Sequence, residues 1–121
     1  MLSYRGSTEQ PFRLWLDRPI PMRDGVELSA DIYLPNEGER FPTLLLRTIY
    51  SNQAPRYLRW PAAFVQAGYA VVLQDCRGRY DSDGVWEPYG CLSDDGFDTH
   101  EWIGTQAWCD GNIGTFGVSY P

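Results

Sequence analysis

Pro42-Thr43-Leu44-Leu45-Leu46-Arg47-Thr48-Ile49-Tyr50 and Tyr69-Ala70-Val71-Val72-Leu73-Gln74-Asp75 are two nearly unbroken apolar runs. A strand covered on one face alternates polar and apolar side chains, whereas a strand covered on both faces has no polar face to show. Between the runs, Trp60, Ala63, Phe64 and Ala67 recur at i, i+3, i+4 and i+7, the spacing of one helical face. Pro61 suits the first turn of that helix and Gly68 its end. Strand, crossover helix and strand make a right-handed βαβ unit with parallel strands, so the chain reads as α/β.

Upstream of this unit the pattern is antiparallel. Phe12 to Arg18 alternates as a first strand, and Pro19-Ile20-Pro21 prolongs it as extended backbone. Asp24-Gly25 carries the turn signal of a hairpin. Leu28, Ala30, Ile32 and Leu34 then line one side of a second strand, which Pro35-Asn36-Glu37-Gly38 closes. Residues 1–11 are polar, with a glycine and a proline, and read as a flexible leading segment; residues 12–121 read as one domain portion.

Downstream, Cys76 to Leu92 holds Gly78, Gly84, Pro88 and Gly90 among acids and aromatics, a long loop at a strand's carboxyl end, where open α/β sheets bind ligands. Ser93 followed by Asp94 and Asp95 suits the start of a helix running to about Gln106, with Thr99, Trp102, Ile103 and Ala107 as its apolar stripe. Asp110-Gly111-Asn112 supplies turn residues, and Ile113 to Gly117 reads as a third parallel strand. Gly117-Val118-Ser119 then opens the G-x-S-x-G pattern of a nucleophile elbow, in which a serine is lifted onto a sharp bend at a strand's end. Pro121 stands where the second glycine belongs, so on the pattern alone an ordinary turn and a catalytic one both remain open.

Composition narrows the function classes. At 121 residues, 43% hydrophobic and 21% charged, the chain is globular and one domain at most. Ten Lys+Arg against sixteen Asp+Glu leave a formal net charge of -6, with basic residues dispersed, which argues against nucleic acid. Charges at Arg5, Glu9, Arg13, Asp17 and Arg18 interrupt the first twenty residues, so no signal or membrane segment is read there, and a cytoplasmic home is expected. Cys76, Cys91 and Cys109 form no C-x-x-C pair and His100 is the one histidine, so neither metal nor cofactor is expected. His100 reads as a partly exposed helical residue, and Asp75 and Asp81 as turn and loop residues.

Four stretches then fall in an order that resembles a known family. They are R-D-G-V-x-L-x-A-D-I-Y-L-P at 23–35, Leu45-Leu46-Arg47-Thr48-Ile49-Tyr50, G-Y-A-V-V-x-Q-D-x-R-G-R at 68–79, and W-C-D-G-N-I-G-T-F-G-V-S-Y-P at 108–121. Together they resemble the amino-terminal part of the Xaa-Pro dipeptidyl-peptidase-like serine hydrolases, the cocaine esterase-type (CocE/NonD) group that also holds the α-amino-acid ester hydrolases. The resemblance implies an incomplete α/β-hydrolase core, antiparallel amino-terminal strands leading into a parallel sheet. It implies Ser119 as nucleophile, in an elbow of the form G-x-S-Y-x-G with which Pro121 is compatible. It also implies the Tyr50 hydroxyl and the Tyr120 backbone N–H as oxyanion donors.

Substrates would be small esters, amides or short peptides. A dehalogenase of this fold places Asp at the nucleophile position, so Ser119 argues against that chemistry. Family members carry the triad acid and histidine, a helical cap and a jelly-roll domain beyond the elbow. These 121 residues alone are therefore expected to be inactive, and poorly populated as a soluble monomer, with a sheet edge and an apolar face open. The rival expectation is a non-enzymatic binding module that uses the aromatic loop around Trp86 and Tyr89.

Overall fold

The computed structural model describes residues 12–48, 60–76, 78, 82, 84 and 92–115. In chain order the elements are β1 (Phe12–Pro21), β2 (Glu27–Pro35), β3 (Phe41–Thr48), α1 (Trp60–Gln66), β4 (Ala70–Asp75), α2 (Leu92–Gly104) and β5 (Cys109–Thr115). The five strands form one sheet in the order β1-β2-β4-β3-β5. β1 with β2 and β2 with β4 are antiparallel; β3 runs parallel to both β4 and β5. This is the expected architecture, an antiparallel hairpin leading into a parallel sheet.

β1 and β2 are joined by the Asp24-Gly25 turn, closed by Met22 N–H to Val26 C=O (2.8 Å) and Gly25 N–H to Met22 C=O (2.9 Å). β1 is an edge strand, which is why Pro19 and Pro21, with no N–H to give to a ladder, are accommodated in it. Arg23, beside that turn, clasps α2 with Nε and Nη2 on the Asp98 carboxylate at 2.9–3.2 Å.

β4 is the middle strand and all six of its residues are buried, as an unbroken apolar run demands. Its alternate side chains enter two separate cores. Ala70 and Val72 join Leu28, Ile32, Leu45 and Ile103 on the α2 face, while Val71 and Leu73 join Leu14, Tyr33, Leu46 and Val65 on the α1 face. Truncating Leu73 to alanine is expected to destabilise the folded domain by about 2–5 kcal/mol, read from a denaturant midpoint. A change below about 1 kcal/mol would contradict double coverage of β4.

Three sequence expectations are corrected. Helix α1 buries Pro61 and Val65 with Phe64 half-buried, whereas Ala63 and Ala67 are exposed. The i, i+3, i+4 spacing is the same, but the helix is turned so that Val65 packs in the core with Val71 and Leu73 of β4. Gly68 ends the helix as expected: at φ 99° it gives its N–H to Val65 C=O (3.0 Å), and Tyr69 N–H bonds Phe64 C=O (3.1 Å), a Schellman motif.

Helix α2 starts at Leu92, one residue before the expected cap, and ends at Gly104, so Ala107 falls outside it and is exposed. Thr99 and Ile103 are its buried residues of the expected stripe, with Trp102 half-buried against Trp108.

The third correction concerns β5, which begins at Cys109 and takes in the supposed turn. Between the pairs Phe41↔Cys109 and Thr43↔Ile113, β5 advances four residues while β3 advances two, so Asp110-Gly111-Asn112 is a bulge within the strand. The local chemistry is that of a turn all the same. Asn112 N–H bonds Asp110 Oδ1 (2.9 Å), and Gly111 has φ 97°. Replacing Gly111 with valine is expected to lower stability by about 1–2 kcal/mol, because a side chain opposes that backbone conformation; an unchanged denaturant midpoint would contradict it.

Candidate active site

The parallel neighbours β3 and β5 carry the geometry that matters most. Their register pairs Leu45 with Thr115, and the two strands run in the same direction. Tyr50 lies five positions beyond Leu45, and Ser119 four beyond Thr115. Tyr50, Ser119 and Tyr120 themselves lie outside the described residues, as do Asp81, Trp86, Tyr89, Cys91 and residues 1–11.

At this carboxyl edge the described residues form a buried polar corner that the sequence reading did not foresee. Arg47 Nε donates to Gln74 Oε1 (2.8 Å), and Gln74 Nε2 donates to Thr99 Oγ1 (3.0 Å), linking β3 to β4 and β4 to α2. Gln74, Asp75, Asp95 and Thr99 are all buried. The guanidinium lies against α2 where a side chain is missing: a Cβ on Gly96 would meet Arg47 Nη1 at 3.1 Å. A mid-helix glycine costs about 1 kcal/mol relative to alanine, and the close approach of Arg47 accounts for its presence. The signals in the sequence were the polar residues Arg47 and Gln74 late in apolar strands, and a glycine inside a helix.

A second polar chain fastens the loop that follows β4. Ser82 accepts the Ser29 backbone N–H (2.8 Å) and donates to the Asp75 carbonyl, bridging β2 and the end of β4. Further along β2, Asp31 Oδ1 accepts the N–H of Asp17 (2.9 Å), and the Asp17 carboxylate accepts the Ser29 hydroxyl. Asp17 has φ 51° and sits where β1 gains one residue over β2, a bulge held by these side chains.

Cys76, buried and unpaired, stands at the same corner. Burial pushes its thiol above the ordinary value; Arg47 pulls the other way, and Asp75 and Asp95 add to the rise. A folded value above the unfolded one, about 8.5, makes the contribution to stability complete below that pH and lost as pH rises through the folded value. Cys76 is therefore expected to resist iodoacetamide at neutral pH in the folded protein and to react on unfolding. Native labelling as fast as that of a free thiol would contradict this.

His100 is half-buried on α2, with Nε2 enclosed and without a hydrogen-bond partner, and precedes the elbow in the chain. Among the described residues no group of His, Cys, Asp and Glu could hold a metal ion, and no helix is long and apolar enough to cross a membrane.

The model of the X-Pro dipeptidyl-peptidase (S15) family matches residues 24–121. The chain belongs to this family. Cocaine esterase of Rhodococcus sp. (strain MB1 Bresler) is 46% identical over 109 residues, covering 84% of this chain and 18% of that protein. A CocE/NonD family hydrolase from Staphylococcus aureus superposes with a TM-score of 0.83 at 30% identity, covering 92% of this chain and 24% of that one. An α-amino-acid ester hydrolase superposes at 0.76 with 28% identity, covering 98% and 23%. The sheet of this S15-family chain is thus an α/β-hydrolase-like core, and the 121 residues span about a fifth of the length of the relatives they match.

Proposed function

We propose that these residues supply the nucleophile and both oxyanion donors of a serine hydrolase that cleaves esters or amides, short peptides included, through an acyl-enzyme. The observation that carries this reading is the parallel pairing of β3 with β5. Leu45 of β3 lies opposite Thr115 of β5, and Tyr50 and Ser119 follow these two residues by five and four positions in the sequence. Family membership supports the same roles, because the loop after the third strand provides an oxyanion donor in α/β-hydrolases, and the residue after the nucleophile provides the other.

The chemistry follows from those positions. Ser119 Oγ attacks the carbonyl carbon while its proton passes to a histidine, which lies beyond these residues in the Ser, acid, His order of this fold. The carbonyl π electrons move onto oxygen, where the Tyr50 O–H and the Tyr120 N–H receive the charge. Collapse expels the alcohol or amine, which takes the proton from the histidine, and water then repeats the sequence to release the acid. Without an acid and histidine behind Ser119, the 121 residues alone do not turn over.

Two buried free thiols, Cys76 and Cys109, fit a reducing, cytoplasmic setting. Acid-quenching a full-length enzyme during turnover of an activated ester tests the covalent step. The acyl mass is expected on the peptide that contains Ser119; an acyl group on another residue, or none during a kinetic burst, would overturn the reading.

A further inference from the structure

Four Asp-Gly pairs occur in the chain, Asp24-Gly25, Asp83-Gly84, Asp95-Gly96 and Asp110-Gly111. In such a pair the glycine has no Cβ to shield its backbone nitrogen, which can close on the preceding carboxyl carbon. Asp83 lies outside the described residues, and the fold treats the other three differently. Asp95 is buried within α2, where the helix fixes the backbone. Asp24 sits in the turn between β1 and β2. Its Oδ1 accepts the Val26 N–H (3.2 Å), but the Gly25 N–H is committed to the Met22 carbonyl at 2.9 Å.

At Asp110 the same side-chain arrangement comes without that protection. Oδ1 accepts the Asn112 N–H at 2.9 Å, which curls the carboxyl group back over the intervening Gly111 nitrogen and polarises it towards attack. The Gly111 N–H meets Cys109 Sγ at 3.4 Å, and a thiol sulfur is a weak acceptor. Gly111 and Asn112 are exposed, so water reaches the site. The bulge lies between the pairs Phe41↔Cys109 and Thr43↔Ile113, so no pairing with β3 holds residues 110–112 in register.

We propose that Asp110-Gly111 is a site of spontaneous covalent modification, isomerisation to isoaspartate with water as the co-reactant, independent of the serine-hydrolase reading. The Gly111 nitrogen gives up its proton and bonds to Asp110 Cγ, and one carboxyl oxygen leaves as water, closing a succinimide ring. Water then adds to the ring carbonyl that was the Asp110 main-chain carbonyl and breaks its bond to the Gly111 nitrogen. Nothing is oxidised or reduced, and the mass returns to that of the starting chain. The chain now continues through Cβ and Cγ of residue 110, which lengthens the bulge by one backbone atom and leaves the former main-chain carboxylate as a side group.

The test is to age an enzyme of the relatives' length at neutral pH, digest it, and count isoaspartate at each pair by peptide separation and by methylation with an isoaspartyl carboxyl methyltransferase. Isoaspartate at Asp110 is expected to accumulate about three- to tenfold faster than at Asp24, the factor that one backbone hydrogen bond on the attacking nitrogen is worth in rate. None above background is expected at Asp95. In denaturant, where the fold protects none of them, the three rates should converge. Asp110→Glu, whose ring closes far more slowly, is expected to abolish the product at that position and leave the one at Asp24 unchanged. A native rate at Asp110 no higher than at Asp24, or a ratio that denaturant leaves unchanged, would overturn the inference.

Discussion

Replacing Ser119 by alanine in an enzyme of the relatives' length is expected to lower ester turnover on the order of a millionfold. Without the nucleophile, oxyanion donors and bound substrate alone retain only a residual rate. Because substrate binding does not depend on the serine hydroxyl, KM should change little. The thermal midpoint should stay near that of the parent, since the change removes a single hydroxyl oxygen. Activity within about tenfold of the parent would remove Ser119 from the mechanism.

The second large effect concerns Tyr50. Tyr50→Phe keeps the ring and removes one hydroxyl, and kcat is expected to fall about a hundredfold to a thousandfold, the loss typical of one oxyanion donor. The effect belongs in kcat because the donor meets the oxygen only as charge develops on it. The Tyr120 N–H remains, so activity does not vanish. An unchanged kcat would remove Tyr50 from the oxyanion hole and leave the second donor to be found elsewhere.

What the sequence disclosed is what local pattern can carry. Leu28, Ala30, Ile32 and Leu34 all enter one core, and the unbroken run at 70–75 is the doubly covered middle strand, because periodicity reports burial directly. The Asp-Gly turn and the Gly68 helix end were legible because each asks for a backbone that few residues adopt.

The features that escaped depend on distant partners. Asp110-Gly111-Asn112 has turn chemistry in either setting, and only pairing with β3 makes it a bulge. Asp17, with no glycine to mark it, adopts a positive φ because Asp31 and Ser29 of β2 hold its N–H and carboxylate. Ser29 and Asp31, which alternate with the apolar residues of β2, are buried as well. Helix α1 turns Val65 inward instead of Ala63 and Ala67, a choice made by the sheet beneath it.

At the site the division is similar. Ser119 and Tyr120 are proposed from the elbow pattern and Tyr50 from family likeness; all three lie outside the described residues, a few positions beyond the paired strands β3 and β5 in the sequence. The Arg47, Gln74 and Thr99 chain draws on three elements, and its traces in the sequence are two polar residues late in apolar strands and a mid-helix glycine.

The central claim is that Ser119 is an activated nucleophile whose activating partners lie beyond these residues. Labelling with a fluorophosphonate tests it most directly, applied to the 121-residue chain, to an enzyme of the relatives' length, and to that enzyme carrying Ser119→Ala. The account predicts label on the long enzyme alone, lost with Ser119→Ala. An unlabelled long enzyme, or label that survives Ser119→Ala, would contradict it; the first outcome would make Ser119 a turn residue and favour a binding role for the fold.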